Sequence, residues 1–149
     1  MATVRRTSRL LGSAFQTLLA IAALGALACA TEIPFQSSSH IPSAAGNLAA
    51  KLDENGNSWV EVEFEHLALP ASLTPAKATY VIWAESHFGR RILLGQLKVE
   101  EDRTAAWRGT VPFDQFRLLL SAEDLAWPEE PREPILLKTD YIKPRRSAF

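Results

Sequence analysis

Residues 59–67 read WVEVEFEHL, and their alternation of apolar and acidic residues decides the fold class. Successive side chains of a β-strand point to opposite faces, so the two valines and the phenylalanine share one face. Glu61, Glu63 and Glu65 share the other face. Residues on one face of a strand are about 6.7 Å apart, too far for one strand to build a tight metal site. We interpret the three glutamates as the solvated face of a half-buried strand.

A second hypothesis makes Glu61, Glu63 and Glu65 a metal-binding or catalytic row. It requires a further carboxylate or histidine from a neighbouring strand. His66 is on the opposite face, where we expect a partly buried polar residue rather than a ligand. The chain has one cysteine and three histidines without zinc-type spacing, and it has no phosphate-binding glycine loop and no nucleophile elbow. The sequence therefore predicts no cofactor and no catalytic residue.

Turn signals on both sides of this stretch predict about seven short strands. Upstream, Asn55-Gly56 predicts a hairpin with a type I′ turn. Downstream, further strands are predicted at 79–86, 92–99, 104–111, 116–123 and 135–142, although 113–124 also fits a helical period. Together these features predict an all-β fold, an immunoglobulin-like antiparallel β-sandwich. Trp83 is expected at the centre of the sandwich, and Gly95 at a bulge or a close-packing site.

Residues 1–30 have the anatomy of a signal peptide, with three early arginines, an apolar stretch and small residues at the end. An A-x-A site predicts cleavage after Ala30. Cleavage before Cys29, with lipid on its sulfur, is an alternative, and a retained anchor is a third. We expect a flexible tether at 31–46, the sandwich at 47–143 and a basic tail at 144–149. The predicted location is extracytoplasmic, either periplasmic or secreted, with or without a lipid anchor.

The composition fits one globular domain. The chain has 149 residues, of which 47% are apolar and 22% charged, with a net charge of −1. These values are ordinary for a folded protein, and they provide no basic field for nucleic acid. Cys29 is the only cysteine, so no disulfide is expected within the sandwich.

Two proline-containing loops are the predicted binding surface. The first is ALPASLTPAKA at 68–78, and the second is AWPEEPREP at 126–134. Trp127 is the best candidate for an exposed aromatic anchor, with packing against the domain as the alternative. The second loop is either a recognition segment or a rigid link between strands. The candidate partner-binding residues are His66, Pro70, Pro75, Trp127, Pro128 and Pro131.

Residues 45–140 resemble a group of uncharacterised exported bacterial proteins. The shared elements are Gly56-Asn57, the loop HLALPASLTP, the strand TYVIW, the strand LGQL and the segment VPFDQFRLLLSAE. More distantly, YVIW, LGQL and EEPREPILL are similar to the extracytoplasmic domain of anti-sigma-K factors. That resemblance implies an immunoglobulin-like sandwich, but it does not imply sigma-factor binding.

The sequence thus predicts a non-catalytic binding or structural module of the bacterial cell envelope. Its partner is expected to be an envelope protein or polymer. The first alternative is an envelope metal-binding protein or enzyme that uses the glutamate row. The second is a passive spacer, which has no specific partner.

Overall fold

The structure, a computed structural model, describes residues 32–146. It is an all-β sandwich of two four-stranded antiparallel sheets. The predicted signal segment, including Cys29 and Ala30, lies outside the described residues. In the part of the chain that is described, no helix is long and apolar enough to cross a membrane. The strands are β1 Ile33–Pro34, β2 Ala45–Leu52, β3 Ser58–Glu65, β4 Thr79–Ser86, β5 Arg91–Leu97, β6 Ala105–Val111, β7 Phe116–Glu123 and β8 Leu137–Lys138.

The strand order is that of an immunoglobulin-like sandwich. One sheet has the order β1-β2-β3-β6 and the other β5-β4-β7-β8. Strand β3 thus pairs with β6, and β4 pairs with β7. In both pairs the second strand is the third one after the first in chain order. Strands B and C of immunoglobulin domains pair with E and F in the same way. Strand β5 joins the sheet of β4, as the extra strand C′ does in variable-type domains. The predicted fold class is confirmed.

Residues Ser58–Glu65 form β3, as the alternation of apolar and acidic residues predicts. Val60, Val62 and Phe64 are buried between the sheets, and the three glutamates are exposed. The strand ends at Glu65, and His66 adopts a left-handed backbone conformation with φ 54°. This conformation takes His66 out of the strand alternation and leaves it exposed, so its expected partial burial is wrong.

The Asn55-Gly56 hairpin is confirmed, but its turn type is wrong. Strands β2 and β3 pair as far as Leu52 and Ser58, and of the loop residues only Gly56 has positive φ, at 83°. The loop is organised by Asp53, whose Oδ1 accepts hydrogen bonds from the backbone N–H of Asn55 at 2.9 Å and of Asn57 at 2.7 Å. Hydrogen bonds from the Asn57 side chain and backbone lower the pKa of Asp53. A longer loop with one left-handed glycine replaces the two-residue type I′ turn.

The segment predicted as a tether contributes to the sandwich, so the expected start of the domain is wrong. Strand β1 pairs with β2, and Phe35 and Ile41 are buried in the main core. The backbone N–H of Gln36 donates to the Lys138 carbonyl at 2.7 Å, which links this segment to β8 of the second sheet. The apolar residues of 31–46 are irregularly spaced, so no period in the sequence shows that they are buried.

Trp83 is buried, but not between the sheets, where it was expected. Tyr80, Ile82 and Ala84 of β4 face the inter-sheet core. Trp83 is on the other face of the strand, in a second apolar cluster with Val81 and Leu119. Ile135, from the connection between β7 and β8, packs against this cluster. The second sheet therefore buries both of its faces.

Gly95 is both a bulge site and a close-packing site, as predicted. The pairing of β4 with β5 shifts register after Ile82, which is opposite Gly95. A β-carbon on Gly95 would be 2.8 Å from Nε1 of Trp107 in β6. Trp107 thus packs against the backbone of β5, where the edges of the two sheets meet.

Gly46→Ala is expected to lower the free energy of unfolding by about 1–3 kcal/mol through overpacking. A β-carbon at Gly46 would be 2.5 Å from the ring of Phe64, which is buried and packs against Phe35 with ring centroids 4.9 Å apart. Urea unfolding measures the change. Ala45→Val, on the exposed face of the same strand, is the control and should change the midpoint little. Equal stability of Gly46→Ala and the wild type would contradict this packing.

Candidate functional site

The two loops predicted to bind a partner lie at the same end of the sandwich. Residues 66–78, which contain the first predicted loop, lead into β4. Residues 124–136, which contain the second, follow β7, and Thr79 is the register partner of Glu123. The backbone N–H of Ala78 donates to the Glu123 carbonyl at 2.9 Å. Lys77 Nζ is 2.9 Å from Asp124 Oδ2. We call these two segments together the loop surface.

The first segment of the loop surface is held by bonds to the domain. The Tyr80 hydroxyl donates to the Ala68 carbonyl at 2.9 Å, and burial raises the pKa of Tyr80 to about 12. The hydroxyl is therefore protonated at any physiological pH, and it can donate this hydrogen bond throughout that range. Leu67 is buried, and its N–H donates to the Arg103 carbonyl at 3.0 Å. These bonds fix the loop at its base and leave Leu69 exposed.

The second segment is held by a buried polar chain. The indole Nε1–H of Trp83 donates to Ser121 Oγ at 2.9 Å, and the Ser121 hydroxyl donates to Glu123 Oε1 at 2.5 Å. The same carboxylate oxygen accepts the backbone N–H of Arg132 at 2.9 Å. Because buried polar groups are costly unless they are paired, these contacts favour one path for the connector over the sheet.

The apex of this segment exposes large apolar side chains. Trp127 is 71% exposed and Leu125 is 64% exposed. Arg132 Nη1 is 3.2 Å from Asp124 Oδ2, so charged groups lie beside them. Of the two interpretations of Trp127, the exposed one is confirmed, and packing against the domain is wrong.

The six candidate partner-binding residues differ in accessibility. His66 and Pro75 are exposed like Trp127, and Pro70 and Pro128 are half-buried. Pro131 is buried, because the connector turns back onto the sheet at that point. Pro131 therefore offers no surface to a partner, and its assignment as a binding residue is wrong.

The glutamate row gains no ligand from the strands beside it. Glu61 is paired across the sheet with Ala49 and Arg108, and Glu63 with Asn47 and Ala106. Arg108 Nε is 3.6 Å from Glu61 Oε1. Among residues 32–146, no group of three or more histidine, cysteine, aspartate or glutamate side chains is placed to hold a metal ion. The second hypothesis lacks the neighbouring carboxylate or histidine that it required.

Sequence reasoning missed an ion cluster around the buried side chain of Glu85, near the opposite end of the sandwich. Arg91, Glu85 and Arg117 are in register on three adjacent strands. Glu85 accepts hydrogen bonds from Arg91 Nε at 2.6 Å, Arg117 Nε at 2.7 Å and the Tyr141 hydroxyl at 2.8 Å. Burial alone raises the pKa of Glu85, but these hydrogen bonds outweigh burial and lower it. The one available signal was a glutamate inside the apolar run of β4.

Comparisons of the chain with protein-family models, with curated proteins and with solved structures found no match. The resemblance to exported bacterial proteins and to anti-sigma-K factor domains therefore stays a prediction.

Proposed function

We propose that this protein is a non-catalytic, extracytoplasmic binding module of the bacterial cell envelope that holds its partner on the loop surface. The observation that carries the proposal is the juxtaposition of two loops about fifty residues apart in sequence, with Trp127 and Leu125 exposed on an anchored base. Exposed tryptophan is a common centre of binding energy in protein interfaces. An anchored loop also loses little conformational entropy when it binds.

The chemistry of the loop surface indicates the kind of partner. Trp127 and Leu125 provide an apolar contact, and Lys77, Asp124 and Arg132 provide charges of both signs beside it. An apolar centre with a polar rim is the usual anatomy of a protein interface. An envelope protein is therefore the partner class that we favour over a uniformly charged polymer.

The expected result for Trp127→Ala is a loss of partner affinity of about tenfold to a hundredfold, the usual cost of removing a central aromatic contact. The partner is first identified by photo-cross-linking from position 127 in intact cells, and its affinity for the purified protein is then measured. Phe88→Ala is the matched control, because Phe88 is 94% exposed in the turn at the opposite end.

The control separates three outcomes. Loss of affinity in Trp127→Ala alone supports the loop surface. Equal loss in both variants, or loss in Phe88→Ala alone, places the interface elsewhere and overturns the proposal. Cross-linking from position 127 that yields no recurrent partner favours the passive spacer.

A further inference from the structure

The outer face of the second sheet contains a cavity. Trp127 and Leu125 are not among the residues that line it. Its volume is about 510 Å³, within the range of about 300–1,000 Å³ that is usual for small-molecule sites. It is lined by residues of β5, β7 and β8, which we call its floor, and by residues 36–39 and 133–136, which we call its rim. The N-terminal segment and the end of the connector thus both contribute to its lining.

The charged groups that line this cavity are mostly cationic. Arg91, Arg117 and Lys138 line it, together with one carboxylate, Glu133. Oε2 of Glu133 accepts the backbone N–H of Ile135 at 3.0 Å, which fixes that carboxylate at the rim.

Glu85 cannot satisfy both arginines. Two guanidinium groups have about ten N–H donors, whereas one carboxylate accepts about four hydrogen bonds. The Tyr141 hydroxyl takes one of those acceptor positions. The side chains of Arg91 and Arg117 are 32% and 27% exposed, so donors remain for a group in the cavity. Guanidinium groups bind carboxylate and phosphate oxygens in paired hydrogen bonds.

The rest of the lining is suited to hydroxyl groups. Ser37, Ser38 and Ser39 follow one another along the rim. Serine hydroxyls both donate and accept, as the hydroxyl groups of a sugar do. A cavity with cations at its floor and serines at its rim matches a small ligand that has one acidic group and several hydroxyls.

We propose that this cavity binds an anionic monosaccharide unit. Its carboxylate or phosphate group contacts Arg91, Arg117 and Lys138, and its hydroxyls contact the serines at 37–39. The cavity shares residues 133–136 with the loop surface, but Trp127 and Leu125 do not line it, so this proposal does not depend on the proposed protein partner.

The test is calorimetric titration of the purified protein with four probes: glucuronate, glucose 6-phosphate, glucose and inorganic phosphate. We expect at least one of the acidic sugars to bind, and glucose not to bind at up to about 10 mM. The difference between the two acidic sugars identifies the acidic group. Binding of inorganic phosphate as tight as that of both sugars would reduce the site to a simple anion site and overturn the carbohydrate proposal. Absence of binding by both acidic sugars would overturn it entirely.

Lys138→Gln is expected to weaken the binding of the acidic sugar about fivefold to tenfold, because it removes one charge-assisted contact. Lys138 is exposed, so its side chain can be changed without disturbing the core. The matched control is Lys51→Gln, on the outer face of the first sheet, which should leave the affinity unchanged. An unchanged affinity in Lys138→Gln, or an equal loss in Lys51→Gln, would contradict the site.

Discussion

Trp83→Ala is expected to lower the free energy of unfolding by about 3–5 kcal/mol, the usual cost of removing a large buried aromatic side chain. Trp83 is 1% exposed and packs against Val81 and Leu119. The substitution also removes the hydrogen bond that the indole N–H of Trp83 donates to the Ser121 hydroxyl oxygen. Urea unfolding at neutral pH, followed by circular dichroism, measures the change. The control is Trp59→Ala, at a half-buried position on the outer face of the first sheet, which should cost much less.

The position of Trp83 also predicts which amides of Trp83→Ala lose protection from hydrogen exchange first. The connector 124–136 lies over this tryptophan, and its Arg132 N–H depends on Glu123 in the same polar chain. Hydrogen exchange in Trp83→Ala should therefore rise first at Arg132 and its neighbours, before the amides of β3. Faster exchange in β3 than in the connector would show that Trp83 supports the inter-sheet core instead.

The sequence predicted the strands well, but it did not predict which residues of β4 face the inter-sheet core. In β3 one face is acidic, so alternation alone assigns each side chain to the core or to solvent. In β4 both faces are apolar, because the connector 124–136 covers the outer one, and alternation then contains no information about Trp83. The same connector explains why Pro131 is buried. Its path is determined by the hydrogen bond from Arg132 to Glu123, and no local pattern encodes that contact.

The candidate sites depend on strand register even more strongly. Both segments of the loop surface were predicted as binding loops, but their contact requires the pairing of Thr79 with Glu123. The row of Arg91, Glu85 and Arg117 requires two such pairings at once. Local sequence reasoning finds individual loops and strands, whereas these sites arise from contacts between residues far apart in the chain.

Glu85→Gln is expected to lower the free energy of unfolding at pH 7 by about 2–3 kcal/mol. Removing one partner of a buried ion pair costs about 3–5 kcal/mol, and the partial exposure of Arg91 and Arg117 reduces that cost. Glutamine retains the shape of the side chain, so the loss comes from two adjacent guanidinium groups left without their anion. Arg91→Gln is the comparison: it should cost less, because Glu85 keeps its contacts with Arg117 and Tyr141.

The pH dependence of this loss tests its electrostatic origin. The arginine and tyrosine hydrogen bonds, opposed by burial, lower the pKa of Glu85 in the folded protein below its ordinary value of 4.5. The stability that Glu85 contributes is therefore fully present well above pH 4.5, and it is lost as the pH falls through the folded-state pKa. The difference in unfolding free energy between the wild type and Glu85→Gln should be constant above about pH 5.5 and should shrink at lower pH. The other acidic groups titrate in both proteins, so their contribution cancels in the comparison. If the difference in unfolding free energy does not change with pH, Glu85 acts through packing rather than through its charge.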